Sequence, residues 1–226
     1  MGYNKSLDFL NMIKNGESAL GNNAFHKTES LIKTEQSSAA SFAVIDTETN
    51  WHDQVMSLGV AIADKTTLKC LETRYYIFEQ EARVGGMYSN VLYKSPNAIS
   101  PMTATRATVM ADLTDFLNSH HITSIYAYNA KFDCGHLPEL KNFAWYDIMR
   151  IAAYKQFNRS IPDTAPCCKT GRLKSNYGVE PITRMLTGNS RYYEVHNAVA
   201  DAVDELRIVE LLGLPIATYD IARINS

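Results

Sequence analysis

An orderly apolar pattern begins near residue 41. FAVID (42–46) is a short apolar run closed by an acid, VMSLGVAIA (55–63) is a second, and LKCLETRYYIF (68–78) a third with partial alternation. Turn-forming Asn50, Asp53 and Asp64 stand between them, so the pattern predicts three consecutive strands paired as an antiparallel meander. The period then changes. In TRATVMADLTDFLNSH (105–120), Val109, Leu113, Phe116 and Leu117 share one helical face, which predicts a helix crossing back over the sheet. SIYAYN reads as the next strand, followed by KFDCGHLPEL entering a helix, the short segment FAWYD, a helical DIMRIAAYKQF, VEPITRMLTG, and a final helix from about Ala198 to Leu211. Alternating strands and helices of this kind make the second half α/β.

Residues 1–40 are different. Leu7, Leu10 and Ile13 have helical spacing, but the polar run KTEQSSAAS that follows resembles a linker, so an N-terminal appendage over 1–40 and one catalytic-sized domain over 41–226 are expected. Met1-Gly2 with Ser6 fits a myristoylation pattern formally, without a second anchor. The composition, 46% hydrophobic and 20% charged, is that of a globular chain. Twenty-two basic against 24 acidic residues leave a formal charge of -2, which excludes a whole-molecule basic field for duplex binding; any nucleic-acid contact must be local or carried by metal. No apolar run reaches the roughly 20 residues of a membrane helix, and the start lacks a signal-peptide pattern. A soluble, cytoplasmic protein without membrane attachment is therefore expected. Cys70, Cys134, Cys167 and Cys168 form no C-x-x-C pair, and the expectation is reduced, mostly buried thiols.

Three short stretches carry candidate chemistry. Asp46 and Glu48 lie two apart at the end of an apolar strand, where a period of two turns both carboxylates to one face, within reach of one cation. Asp133 falls in the first turn of the helix after SIYAYN, a place the helix dipole alone favours for an acid. In HNAVADAVDEL, His196 precedes a helix whose first turns present Asp201, and Asn197 is placed to cap it. Each has an ordinary structural explanation when taken singly. Together, at strand ends and helix starts of an α/β domain, they describe a site. His52, His120, His121 and His136 show no zinc spacing, and Tyr75, Tyr76 and Phe78 read as core and sheet surface.

FAVIDTET, YNAKFDCGHL and HNAVADA resemble, in order and spacing, the three motifs of the DEDDh (DnaQ-like) 3′-5′ exonucleases, the group that includes the proofreading subunit of bacterial replicative DNA polymerase and ribonuclease T. The resemblance spans about Ser41 to Leu211. It implies a ribonuclease-H-like mixed sheet flanked by helices and the release of mononucleotides from single-stranded 3′ ends of DNA or RNA. It also implies two Mg²⁺ or Mn²⁺ ions, with Asp46 bridging both, Glu48 and Asp201 completing one, Asp133 holding the other, and His196 as general base. Thr47, Asn129 and Phe132, within the motifs, are expected at the substrate. Lys169, Arg172 and Lys174, a cationic loop ahead of the last helix, are expected on its phosphates. Asp147 resembles the family's aspartate that opens the next helix and is expected to give structural support. A polymerase or other protein partner is a further expectation, and a catalytically silent nucleic-acid-binding module is the alternative, which the intact set of five argues against.

Overall fold

A computed structural model describes residues 40–94 and 99–225. The appendage expected over 1–40, apart from Ala40, and the Met1-Gly2…Ser6 pattern lie outside these residues. β1 (Ser41–Thr49), β2 (Val55–Asp64) and β3 (Cys70–Phe78) form the expected antiparallel meander. Three further strands complete a six-stranded sheet of order β4-β3-β2-β1-β5-β6. β5 (Ser124–Ala127) and β6 (Ala144–Asp147) run parallel to β1, and the three-residue β4 (Met102–Ala104) runs parallel to β3 at the other edge. This is the mixed, helix-flanked sheet of the ribonuclease-H-like class.

The helices are α1 (Glu79–Val84), α2 (Arg106–Ser119), α3 (Lys131–His136), α4 (Met149–Ala152), α5 (Val179–Thr187) and α6 (Ala198–Leu212). Strand alternation sorts β1 between two layers. Ala43 and Ile45 pack with Val109, Leu113, Phe116 and Leu117 of α2 and with Trp145. Phe42 and Val44 face the other way, against Leu206, Ile208 and Val209 of α6 and Ile182 of α5. Every one of these apolar side chains is almost wholly buried, so the central strand is packed on both faces. Tyr75, Tyr76 and Phe78 are core residues as expected.

Two expectations need correction. The helix expected over DIMRIAAYKQF stops at Ala152. Asn158 Nδ2 donates to the Ala152 carbonyl, and Tyr154 bridges to Arg172 in a small antiparallel ribbon, so these partners replace further helical bonds. The thiols are not mostly buried: Cys70 is exposed and the other three are half-buried, all free.

Candidate active site

β1 and β5 are parallel neighbours, so their C-terminal ends open at the same edge of the sheet. Asp46 and Glu48 continue the parity of Phe42 and Val44 and so lie on the side covered by α6. Asp46 is in register with Gly59 of β2. A Cβ at Gly59 would sit 2.1 Å from the Ala198 carbonyl oxygen and 2.3 Å from Val199 Cα, so only glycine lets the first turn of α6 rest on the sheet there. That contact delivers Asp201. Ligating atoms of Glu48, His196 and Asp201 all lie within 4.8 Å of one another. Asp133 arrives from the opposite layer, in the first turn of α3, where the Thr47 hydroxyl donates to its Oδ1 at 2.7 Å. Thr47, expected at the substrate, thus has its buried side chain turned to Asp133.

His196 occupies the left-handed backbone region, φ +59°, at the entry to α6. Its ring stacks on Tyr88 with centroids 4.0 Å apart and planes 16° from parallel. Asn197 stands at the N-cap position, but its side chain does not cap the helix as expected. Instead Asn197 Nδ2 donates to the Val91 carbonyl at 2.9 Å and to the Tyr75 hydroxyl at 3.2 Å, pinning the start of α6 to the 85–92 segment that carries Tyr88. Asn129 is likewise left-handed, φ +62°. Its backbone N–H and that of Met149 both donate to Asp147 Oδ1 at 3.0 Å, so Asp147 supports the turn into α3, as expected. Asn129 and Phe132 are exposed beside Asp133, and the Phe132 ring leans on His136 at 4.3 Å.

Burial and mutual repulsion govern the charges. Asp46 is held well above the usual carboxylate range by burial, then by Glu205, Asp133, Asp201 and Glu48. Burial, then Glu194 and Asp133, raise Glu48 to about 8. Burial, then Glu194, Glu48 and Asp204, raise Asp201 to about 8. Asp133 is raised to about 7 by burial, against the lowering effect of the Thr47 hydrogen bond. Burial lowers His196, with Glu180 opposing, which favours the neutral imidazole.

The carboxylate group is larger than the motifs suggested. Glu205, one turn after Asp201 on α6, is 2% exposed, and its Oε2 accepts the Tyr128 backbone N–H at 2.9 Å. It is raised well above the carboxylate range by burial, then by Asp133. Glu194, two residues before His196, is raised to about 7 by burial, then by Asp204 and Glu180. A glutamate on the apolar face of α6, spaced i, i+4 from Asp201, was a readable signal. Glu194 and Tyr88 sit in irregular segments and gave none.

Lys169, Arg172 and Lys174 lie on the ribbon in which Cys167 pairs with Leu173. Both lysines are exposed, and the Arg172 guanidinium sits 5.3 Å over the Tyr177 ring. The Tyr177 carbonyl accepts the Tyr128 hydroxyl, the residue whose N–H reaches Glu205. A packed chain thus runs from this ribbon to the acidic cluster. Among the other histidines, His120 pairs with Glu72 and His136 with Asp53.

Beside Glu48 a cleft of about 360 Å³ is lined by Thr49, Asn50, Trp51, Asp53, Met87 and Tyr88. A larger hollow of about 540 Å³, lined by Ala40, Ser41, Asn118, His120, His121, Ile122 and Thr123, holds none of the carboxylates. Divalent cations fit the donor set. Asp46 Oδ2 and Asp201 Oδ1 are buried with no hydrogen-bond partner, and carboxylates this crowded ionise together only when positive charge offsets their repulsion.

No protein-family model matches the chain, and no curated protein matches it in sequence. Its fold is nevertheless found among solved exonucleases. A 3′-exonuclease described in 3′-end specific recognition of a histone mRNA stem-loop aligns at TM-score 0.56 and 13% identity, over 79% of this chain and 66% of that one. The nuclease domain of 3′hExo, a DEDDh family member bound to rAMP, aligns at TM-score 0.53 and 13% identity, over 77% and 92%. Exonuclease I of E. coli in complex with a 5cy-dT13 oligonucleotide aligns at 0.53 and 15%, over 80% of this chain. The chain spans 66% of the first of these and 41% of the last. At such identities the likeness establishes the fold.

Proposed function

We propose that this chain is a metal-dependent 3′-5′ exonuclease of DEDDh type, with residues 41–226 as its catalytic domain and 1–40 as an appendage. One observation carries the reading. Glu48, His196 and Asp201 converge within 4.8 Å from a strand, a loop and a helix, beside Asp46 and Asp133, and this happens on a fold shared with 3′-exonucleases. An acidic cluster alone suits many roles, whereas an imidazole at its edge, whose neutral form burial favours, suits hydrolysis.

Asp46, Glu48, Asp133 and Asp201 would hold two Mg²⁺ or Mn²⁺ ions, all-oxygen donors being suited to such hard cations. When bound, the ions supply electrostatic stabilisation of the charge that develops on the attacking and leaving oxygens. His196 takes the proton of the attacking water as its oxygen bonds to phosphorus. The P–O3′ bond breaks, its electron pair leaves with the 3′ oxygen of the shortened strand, and a nucleoside monophosphate departs. Thr47 orients Asp133 through the 2.7 Å hydrogen bond. Asn129 and Phe132, exposed at the entry to α3, face the terminal nucleotide, and Lys169, Arg172 and Lys174 contact upstream phosphates. That the 3′ end is the one admitted rests on the names of the similar proteins.

Labelled single-stranded DNA and RNA oligomers, incubated with the protein in Mg²⁺, Mn²⁺ or EDTA and resolved on a gel, test this. A ladder shortening one nucleotide at a time in either cation, and absent in EDTA, is expected. Intact oligomers of both kinds in every cation would contradict the proposal.

A further inference from the structure

We infer that Arg184 and Glu180 of α5 are positioning residues for His196: they hold the segment that leads into it, and with it the imidazole, where proton transfer is assigned. His196 carries a side chain at φ +59°, and such a backbone persists only where the chain around it is held. On its C-terminal side Asn197 is fixed to Val91 and Tyr75. On its N-terminal side lies an irregular segment, residues 188–195, with no helix or strand of its own to hold it.

α5 supplies the hold. Gly188, φ +69°, ends the helix in the left-handed region and turns the chain back along it. Asn189 closes the turn, its side chain accepting the Arg191 N–H at 3.0 Å and its carbonyl the Tyr192 N–H at 3.2 Å. The returning chain then meets two side chains one helical turn apart. Arg184 Nε donates to the Tyr192 carbonyl at 2.7 Å, and Glu180 Oε2 accepts the Glu194 N–H at 3.2 Å. Arg184 Nη2 is bound to Glu180 Oε1 at 2.8 Å, so each side chain keeps the other turned to the segment. From α6, Asp204 accepts the Tyr192 hydroxyl at 2.6 Å. The tie is a poor stabiliser and a good guide. The Arg184 and Glu180 side chains are 40% and 33% exposed, and an i, i+4 pair so open to water adds little to folding. What it fixes is the path of the peptide groups on either side of Tyr193, just ahead of His196. A guanidinium offers both donors from one rigid plane, which an ammonium cannot.

The consequence for turnover rests on the exonuclease reading; the positioning itself does not. Proton NMR of the histidine rings in the full-length protein reads the position. Against the Tyr88 face at 4.0 Å and 16°, the His196 ring protons resonate upfield of an exposed histidine. Arg184→Met, which keeps the aliphatic stem and removes both donors, should move them toward the exposed value. In single-turnover cleavage of a labelled oligomer this variant should be about 10- to 100-fold slower, as for a small displacement of a reacting group. Its oligomer affinity should stay within about twofold of wild type, the loss lying in chemistry. In a His196→Ala background the same substitution should change the rate by less than about twofold, because a group that acts through His196 has nothing left to position. Ring protons unmoved in a folded Arg184→Met protein, or a rate loss as large without His196 as with it, would overturn the proposal. Should that variant not fold, Arg184→Lys, which keeps the charge but cannot span both acceptors, is held to the same two results. A wild-type protein that cleaves nothing in Mg²⁺ would count against the exonuclease reading, and the ring protons would then decide this one alone.

Discussion

His196 combines a left-handed backbone, a stacked ring and a lowered basicity in one residue. A non-glycine residue in that region costs on the order of 1 kcal/mol or more and persists where the surroundings enforce it. A neutral base here contributes about 10²- to 10⁴-fold. His196→Ala should therefore lower the single-turnover rate by about that factor with oligomer binding little changed, as quenched-flow and binding titrations would show. Because burial lowers the imidazole, the wild-type rate should rise with pH through a value below the ordinary 6.5, and the alanine variant should lack that limb. A variant with an unchanged rate and profile would assign the proton to another group. The five motif residues were legible because strand and helix periods place them. Glu205, four residues after Asp201 on the buried face of α6, was within reach of the helical period, whereas Glu194 and Tyr88 sit in irregular segments whose partners are distant in sequence, and the Asn197 side chain, read as a cap, found partners across the fold.

The union of α6 with β2 depends on Gly59 more than on any ligand. Its missing side chain leaves the space filled by the Ala198 carbonyl and Val199, and a larger residue must push back the helix start that bears Asp201 and His196. Gly59→Val should cost about 1 to 3 kcal/mol in denaturant unfolding, as overpacking does, and should reduce turnover further than the lost stability explains. Full activity with unchanged stability would mean that α6 can dock elsewhere. At this scale the long periodic elements, β1 to β3, α2 and α6, were readable from apolar spacing, since their buried faces repeat over two or more turns or strand pairs. β4, three residues at the sheet edge, and α1, six residues with no buried side chain, present too short a pattern to read. The helix after β6 was overread because Tyr154 and Asn158, tolerable in a helix, were taken up by the ribbon.

Across the whole molecule the acidic cluster makes stability respond to pH and cation. In the metal-free folded state Glu48, Asp133 and Asp201 hold their protons to about 8, 7 and 8, against ordinary values of 4.5 and 3.8. Between those limits the folded chain binds more protons than the unfolded one, so stability is full below about pH 4 for these groups and is lost as pH rises toward 8. Thermal unfolding in EDTA should thus show Tm falling over that interval, Mg²⁺ should restore it most at the alkaline end, and Asp46→Asn should flatten the slope. A metal-free Tm that climbs steadily from pH 5 to 8 would contradict the assigned charges. Among the described residues no helix is long and apolar enough to cross a membrane. The fold class was readable before the structure, from the order of strands and helices and the resemblance. The closeness of the acids was not, since it arises from contacts such as Gly59 with Ala198 and Thr47 with Asp133. The central claim is metal-dependent removal of nucleotides from the 3′ end, and a doubly labelled single-stranded oligomer measures it most directly. With Mg²⁺ or Mn²⁺ the 3′ label should appear first as a mononucleotide, a 3′-terminal phosphorothioate should slow that step, and Asp46→Ala should abolish it while the protein stays folded. Early release of the 5′ label, or undiminished release of the 3′ label in EDTA, would contradict the account.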